Sequence, residues 1–316
     1  MNIVKRNPQH AVGTVLPLAL RLMDIATKGS PTQWRTQATV LRGAKTIDLT
    51  WTHAQANADL QPGQLVQPLT LPETYAIVPA CDVLSNASLM ATIPQTWGVN
   101  ADHLERLTQL WSQWPKMLRG WFNALFWYEP ERFKGFLTAP ASLRHHHAYP
   151  GGLIEHSLDC VDRVHAQAQG DTTVNQHVLS FVTLLHDVGK AQEYGPGADG
   201  YGAKMSLRGE LMGHKLSNLE WLAAARVQSR IAIPDSLAML VYHAMTATHA
   251  PDYVGLRSPR TPEAFYLSSV DQISGMASLF AAHANPQGGF GRSIPFLRGR
   301  PYTLDHSVLS QLGSLD

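Results

Sequence analysis

Cysteine is scarce in this chain: two residues in 316, Cys81 and Cys160. They make no Cys-x-x-Cys pair, and two are too few for a disulfide framework, so the sequence predicts a reducing compartment. No apolar run approaches the roughly 20 residues that span a bilayer. The opening segment, MNIVKRNPQH, is too polar for a secretory signal. The expectation is therefore a soluble, cytoplasmic protein. Charge of one sign is missing as well. Lys and Arg number 25 against 24 Asp and Glu, a net charge of +1, which gives no global pull toward nucleic acid or membrane. Internal repeats and low-complexity tracts are absent too.

A local imbalance is present instead. Residues 1–60 carry Lys5, Arg6, Arg21, Lys28, Arg35, Arg42 and Lys45 against Asp24, Asp48 and Asp59. Such an excess favours a polyanion, and it is equally the make-up of an ordinary solvated face. The length exceeds what one small core needs and predicts two domains, residues 1–90 and 91–316. In the first, short strands are expected over Val15–Leu22, Gln37–Leu41, Thr46–Trp51 and Gln64–Pro68. Turn signals stand at Lys28-Gly29-Ser30, Arg42-Gly43 and Gln61-Pro62-Gly63. Several short strands in so few residues predict a small barrel.

The pattern then becomes helical. Leu104, Leu107, Leu110, Trp111, Trp114, Leu118, Trp121, Phe122 and Leu125 recur at three- and four-residue steps, with a break expected at Pro115. Further helices are predicted over Gly151–Gln169, Val174–Val188, Gly209–Gln228, Pro234–Ala247 and Pro262–Ala284. The last starts with Thr261 as N-cap and Pro262 as first helical residue. The tail from Asn285 is rich in Gly, Pro and Arg and reads as irregular. The fold class expected is α+β, mainly α.

Histidine is abundant, at 15 residues, ten of them between His145 and His249. Neutral imidazole is the commonest metal ligand. In Leu184–Lys190 an apolar run ends in His186-Asp187, followed by Gly189 and Lys190. Two adjacent ligands at a helix end can converge on one ion. A glycine stop with a nearby lysine is also a normal helix C-terminus. His156 sits early on one predicted helix and Asp271 in the middle of another, where an unpaired buried carboxylate would be costly. His156, His186, Asp187 and Asp271 together make a sound donor set for a divalent ion.

His214, His243 and His249 could complete a second metal position bridged by Asp187. Two metals roughly 3.5–4 Å apart suit phosphodiester cleavage, and each of these histidines is singly also an ordinary core or surface residue. Lys190, Arg257 and Arg260 are candidate phosphate contacts. Asp187 and Lys190 are the candidate catalytic pair. Trp34, Trp51 and Tyr75 could stack on bases, though aromatic residues on strands equally serve as core.

Four segments carry a family resemblance. They are His-His-His-Ala-Tyr-Pro-Gly-Gly-Leu-Ile-Glu-His-Ser (145–157), Leu-Leu-His-Asp-Val-Gly-Lys (184–190), Gly-Glu-Leu-Met-Gly-His (209–214) and Ser-Pro-Arg-Thr-Pro-Glu-Ala (258–264), the last followed by Asp271. The order of His156, His186-Asp187 and Asp271 resembles the H…HD…D pattern of the HD-domain metal-dependent phosphohydrolases. Over roughly residues 135–302 the segments are similar to the YhaM-type 3′-5′ exoribonuclease branch. The resemblance implies an all-helical HD bundle preceded by an OB-like β-barrel, and manganese or a similar divalent ion, with Fe, Ni, Mg and Zn also compatible. It implies stepwise attack on the 3′ end of single-stranded RNA, DNA being the variant, and is compatible with a homo-oligomer. The branch usually shows two adjacent histidines where this chain has Thr-His-Ala around His249, so the second metal is the weaker expectation. Hydrolysis of nucleotides or cyclic dinucleotides, an HD relaxase-like protein of a mobile element, and a nucleic-acid-binding module with a vestigial metal site are the competing readings.

Overall fold

The computed structural model describes residues 20–30, 33–42, 45–53, 62, 65–68, 77–79, 88–127, 129–143, 147–196, 203–228, 231–248, 256–295, 298–305 and 307–308. The chain divides into two compact units, Met1–Thr92 and Ile93–Asp316. It is mainly helical, with a small antiparallel sheet in the first unit.

In that unit β1 (Leu20–Ser30), β2 (Gln33–Arg42), β3 (Lys45–His53), β4 (Leu65–Pro68) and β5 (Ile77–Pro79) pair in the order β3-β2-β1-β4-β5. Alternation sets the core face. Leu20, Leu22, Ala38, Val40 and Leu49 are buried together, with Ile25 packed against them. The register of β1 against β2 slips between Leu22 and Asp24. The extra residue, Met23, reverses the parity of β1, so Leu22 faces inward before the bulge and Ile25 after it. Buried Arg21 is satisfied by Thr92, donating from Nε to its carbonyl at 3.0 Å and from Nη2 to its hydroxyl at 3.2 Å.

Two expectations need correction here. The first strand does not end at Leu22. Lys28, Gly29 and Ser30 pair with Arg35, Trp34 and Gln33, so the expected turn is strand. Residues 15–19 of that expected strand lie outside the described residues. Among the described residues β3 and β5 are edge strands, so the sheet is open rather than a closed barrel.

The second unit begins with α1 (Ala101–Gln113) and α2 (Lys116–Trp127), parted at Trp114-Pro115 as the proline requires. Next come α3 (Pro130–Thr138), absent from the sequence reading although Pro130 marks its start, and α4 (Gly152–Gln167). After these, α5 (Gln176–Leu185), the short α6 (Lys190–Glu193), and a hairpin of β6 (Tyr194–Pro196) and β7 (Ala203–Met205) lead into α7 (Leu207–Leu211). Then α8 (Gly213–Gln228), α9 (Asp235–Thr246) and α10 (Pro262–His283) complete the helices named here, followed by the two-residue strands β8 (Gly289–Phe290) and β9 (Tyr302–Thr303). The expected cap forms: Thr261 Oγ1 accepts from Ala264 N at 3.2 Å. The expected Gly209–Gln228 helix is divided into α7 and α8 at Met212.

Aromatic residues fill the core of this unit. Trp111, Trp121, Phe122, Phe126, Phe133, Phe136 and Phe181 are fully buried. Three indoles find partners for their N–H groups: Trp111 on Asn123 at 3.1 Å, Trp114 on Ser180 at 2.8 Å and Trp121 on the Leu222 carbonyl at 2.9 Å. Helix α5 is apolar on every side, and all residues from Val178 to Leu185 are buried. A helix of that kind belongs in the middle of a unit. Its C-terminal end is where His186 and Asp187 emerge. Among the described residues no helix is long and apolar enough to cross a membrane.

Candidate metal centre

Three helices bring the four expected ligands together. His156 comes from the first turns of α4, His186 and Asp187 from the end of α5, and Asp271 from the middle of α10. One ligand atom from each lies within 4.8 Å of the others. His156 Nε2 is 3.6 Å from Asp187 Oδ2 and 3.6 Å from Asp271 Oδ1. His186 Nε2 is 3.3 Å from Asp187 Oδ2 and 3.6 Å from Asp271 Oδ1. A regular tetrahedron with ligand bonds of about 2.1 Å has edges of about 3.4 Å, so these separations fit a small divalent ion. Both imidazoles and Asp187 are buried, while about half of the Asp271 side chain is exposed. The cluster is therefore open on the α10 side.

The protonation pattern tests that fit independently. His186 Nδ1 lies 2.7 Å from the Thr183 carbonyl, and a carbonyl only accepts, so the proton sits on Nδ1. In the neutral ring that leaves a lone pair on Nε2, which is buried, has no hydrogen bond of acceptable geometry and faces two carboxylate oxygens. Acceptors facing acceptors need a proton or a cation between them. Without a cation, the protein holds protons there. Burial opposes the charged form of His186, but Asp187 and Asp271 outweigh it and push its pKa well above the ordinary value. For His156 burial is again the largest opposing effect. Hydrogen bonds to Asp271 and Cys160, with the charge of Asp187, carry it up to about 9. Burial would raise Asp187 and Asp271, yet the neighbouring cations and hydrogen bonds hold both well below the usual carboxylate range.

The loop between α5 and α6 is fixed by a residue the sequence reading missed. Asn218, on α8 and fully buried, donates from Nδ2 to the His186 carbonyl and accepts from Gly189 N–H at Oδ1. Only a carboxamide donates and accepts at once in this way. Gly189 is needed for the approach: a Cβ there would stand 2.4 Å from the His214 carbonyl oxygen and 2.7 Å from Asn218 Oδ1.

Lys190 Nζ lies 2.7 Å from Asp187 Oδ2, so this candidate phosphate contact is engaged with the candidate ligand. His214 Nε2 approaches the other oxygen of Asp187 at 3.4 Å, and its Nδ1 is held 3.0 Å from buried Glu193. Glu193 was also missed. A carboxylate orienting a histidine by the far ring nitrogen is the usual support of a metal ligand. His243 is not brought in by the described contacts. Its Nε2 accepts from the backbone N–H of Arg260 at 2.9 Å, which uses the lone pair a cation would need. Burial, then the charge of Arg260, lowers its pKa. His249 and Tyr75 lie outside the described residues. The three-histidine second position is thus represented among the described contacts by His214 alone. Arg257 accepts at its carbonyl from Thr248 N at 3.0 Å, and neither arginine has a described contact with the four ligands. Trp34 is half-buried, opposite His53, and position 51 stands opposite Thr36. Trp34 shares its face of β2 with buried Thr36, Ala38 and Val40, which is poor placement for stacking on bases.

The chain is similar to proteins named 3′-5′ exoribonuclease YhaM. One from Listeria welshimeri is 28% identical over 174 residues, 53% of each chain. One from Listeria monocytogenes is 26% identical over 174 residues, again 53% of each. One from Bacillus subtilis is 26% identical over 141 residues, 44% of this chain and 43% of that one. The likeness supports the YhaM-type resemblance carried by the motifs. The chain spans about half the length of the curated relatives it matches. No family model matches it, and no solved structure does.

Proposed function

We propose that this chain is a metal-dependent phosphodiesterase of the HD type that removes nucleotides from the 3′ end of single-stranded RNA, with DNA as the second candidate. One observation carries the reading: the buried Nε2 of His186, with Nδ1 committed to the Thr183 carbonyl, faces two carboxylates, an arrangement that a cation would complete. The names of the similar proteins supply the polymer substrate and the polarity. His156, His186, Asp187 and Asp271 would hold the ion, manganese first among Mn, Fe, Ni, Mg and Zn. When bound, such an ion acidifies water and steadies charge developing on phosphate oxygens.

The chain's own residues set the stage. Thr183 and Asn218 fix the tautomer and direction of His186. Lys190 keeps Asp187 ionised; burial opposes the lysine's charge, but Asp187 outweighs it and raises its pKa. Asp187 turns one oxygen toward His156 and His186 and the other toward His214, the arrangement a bridging carboxylate needs. The open side at Asp271 admits the strand. In this reading the sheet of the N-terminal unit is a nucleic-acid-binding element. It would hold the strand by the polar sheet face bearing Lys28, Arg35 and Gln37, opposite the buried one.

The test is incubation of the purified protein with 5′-labelled single-stranded RNA and Mn²⁺, with free nucleotides and cyclic dinucleotides in parallel. A ladder shortening from the 3′ end is expected. Turnover of the small nucleotides alone would overturn the polymer reading while leaving the metal centre standing.

A further inference from the structure

An aromatic platform stands beside the metal centre. Tyr149 lies in the loop that leads into α4, and it is 45% exposed. Its ring centroid is 5.8 Å from that of His147, which in turn is 5.7 Å from the ring of His156. The phenol is pinned at its far end. It donates to Glu155, and its oxygen lies 2.9 Å from His147 Nδ1. Glu155 also faces His147 at 3.7 Å and His103 of α1 at 4.0 Å. Burial first, then the hydrogen bond to Glu155, pushes the phenol up to about 12, so it stays neutral.

The backbone beneath is equally determined. His147 adopts φ +54°, a conformation L-residues rarely take and one that persists when surroundings impose it. Its carbonyl accepts from Ala141 N at 2.9 Å. Gly152 packs against that carbonyl so closely that a Cβ there would stand 2.1 Å from its oxygen. A strained, doubly anchored loop holding a partly exposed tyrosine one imidazole away from a ligand of the candidate ion is a pre-organised arrangement. Tyr149 is no core residue, since it is 45% exposed.

We infer that Tyr149 is a substrate-positioning residue: the 3′-terminal base of the strand stacks on its ring and sets the adjoining phosphodiester against the metal centre. The inference rests on the hydrolase reading above and adds that the site recognises a base, with no preference among bases, because every base has a π-face. It also assigns stacking to Tyr149 rather than to Trp34, which shares its face of β2 with buried Thr36, Ala38 and Val40.

The test compares two 5′-labelled single strands with Mn²⁺, identical except that one ends in a nucleotide and the other in an abasic sugar. The wild-type chain should cleave the base-bearing end on the order of tenfold more efficiently, the scale of one base–aromatic stack. Tyr149→Leu should lose that preference through a raised KM, with little change on the abasic strand. Tyr149→Phe should keep most of it. Metal content and far-ultraviolet circular dichroism should be the same in all three proteins. Equal losses on both strands in Tyr149→Leu, or an unchanged preference, overturns the inference and leaves the hydrolase reading intact. Cleavage of neither strand by the wild-type chain overturns that reading, and this inference with it.

Discussion

His186 makes two statements with one ring: Nδ1 is spoken for by Thr183, so Nε2 must find something positive. Asp187 is its chief counterpart, and it serves His156, Lys190 and His214 as well. Asp187→Ala should therefore abolish bound metal and turnover, and it should also lower stability by about 3 kcal/mol, because Lys190 and three imidazoles lose a buried counter-charge. Elemental analysis and a denaturant titration check the two parts separately. Protons and cation compete at this cluster, which fixes the sign of the pH dependence. In the metal-free protein the raised pKa of His156 contributes stability that is full below about pH 6.5 and is lost as pH rises through about 9. The lowered carboxylates contribute stability above about pH 4 that is lost on acidification. Bound metal reverses the alkaline trend, since it displaces the protons. The gain in melting temperature on adding Mn²⁺ should therefore grow between pH 6 and pH 9, with proton release in titration calorimetry. A gain that shrinks over that range contradicts the assignment of these imidazoles as ligands.

Helices deliver the ligands, and the helices were largely legible. The three- and four-residue recurrence of apolar side chains, the break at Pro115 and the Thr261-Pro262 start are all strong local signals, and each has its counterpart in the structure. Removing the cap in Thr261→Ala should cost about 1 kcal/mol, read as a shift in the unfolding midpoint. His156, His186, Asp187 and Asp271 were singled out by their places on or at the ends of predicted helices, and the structure brings one ligand atom of each within 4.8 Å of the others. Asn218 and Glu193 were not read, because burial of a single amide or carboxylate depends on which helix packs over it. Asn218 does stand four residues after His214, on the same face of α8, and that spacing was the available signal. Asn218→Asp keeps the acceptor for Gly189 and loses the donor to His186. It should weaken Mn²⁺ binding 10- to 100-fold, the scale for support residues of a metal ligand, with a smaller effect on KM than on metal affinity. Unchanged metal affinity would remove Asn218 from the site. The first strand was misread because Lys28-Gly29-Ser30 has turn chemistry locally, and only pairing with β2 keeps it extended.

At the scale of the whole molecule the proposed activity is shared between two units. In that proposal the helical unit would carry the chemistry, while the sheet unit has one buried and one polar face. The basic excess of the first 60 residues found no global counterpart, so its value depends on where it sits. Lys28 and Arg35 are cross-strand neighbours on the polar face. Reversing both to Glu should weaken binding of long single strands and flatten its salt dependence, while short substrates are cleaved as before. An equal effect on short and long strands would count against a strand-holding role for the sheet. The metal centre itself comes down to one point in space. Crystals grown with Mn²⁺ and measured for anomalous scattering test it most directly. A peak is expected among His156, His186, Asp187 and Asp271, about 2.0–2.2 Å from their ligand atoms, and it should vanish in Asp187→Ala. A fully occupied manganese elsewhere, with these four side chains still paired only to one another, would contradict it.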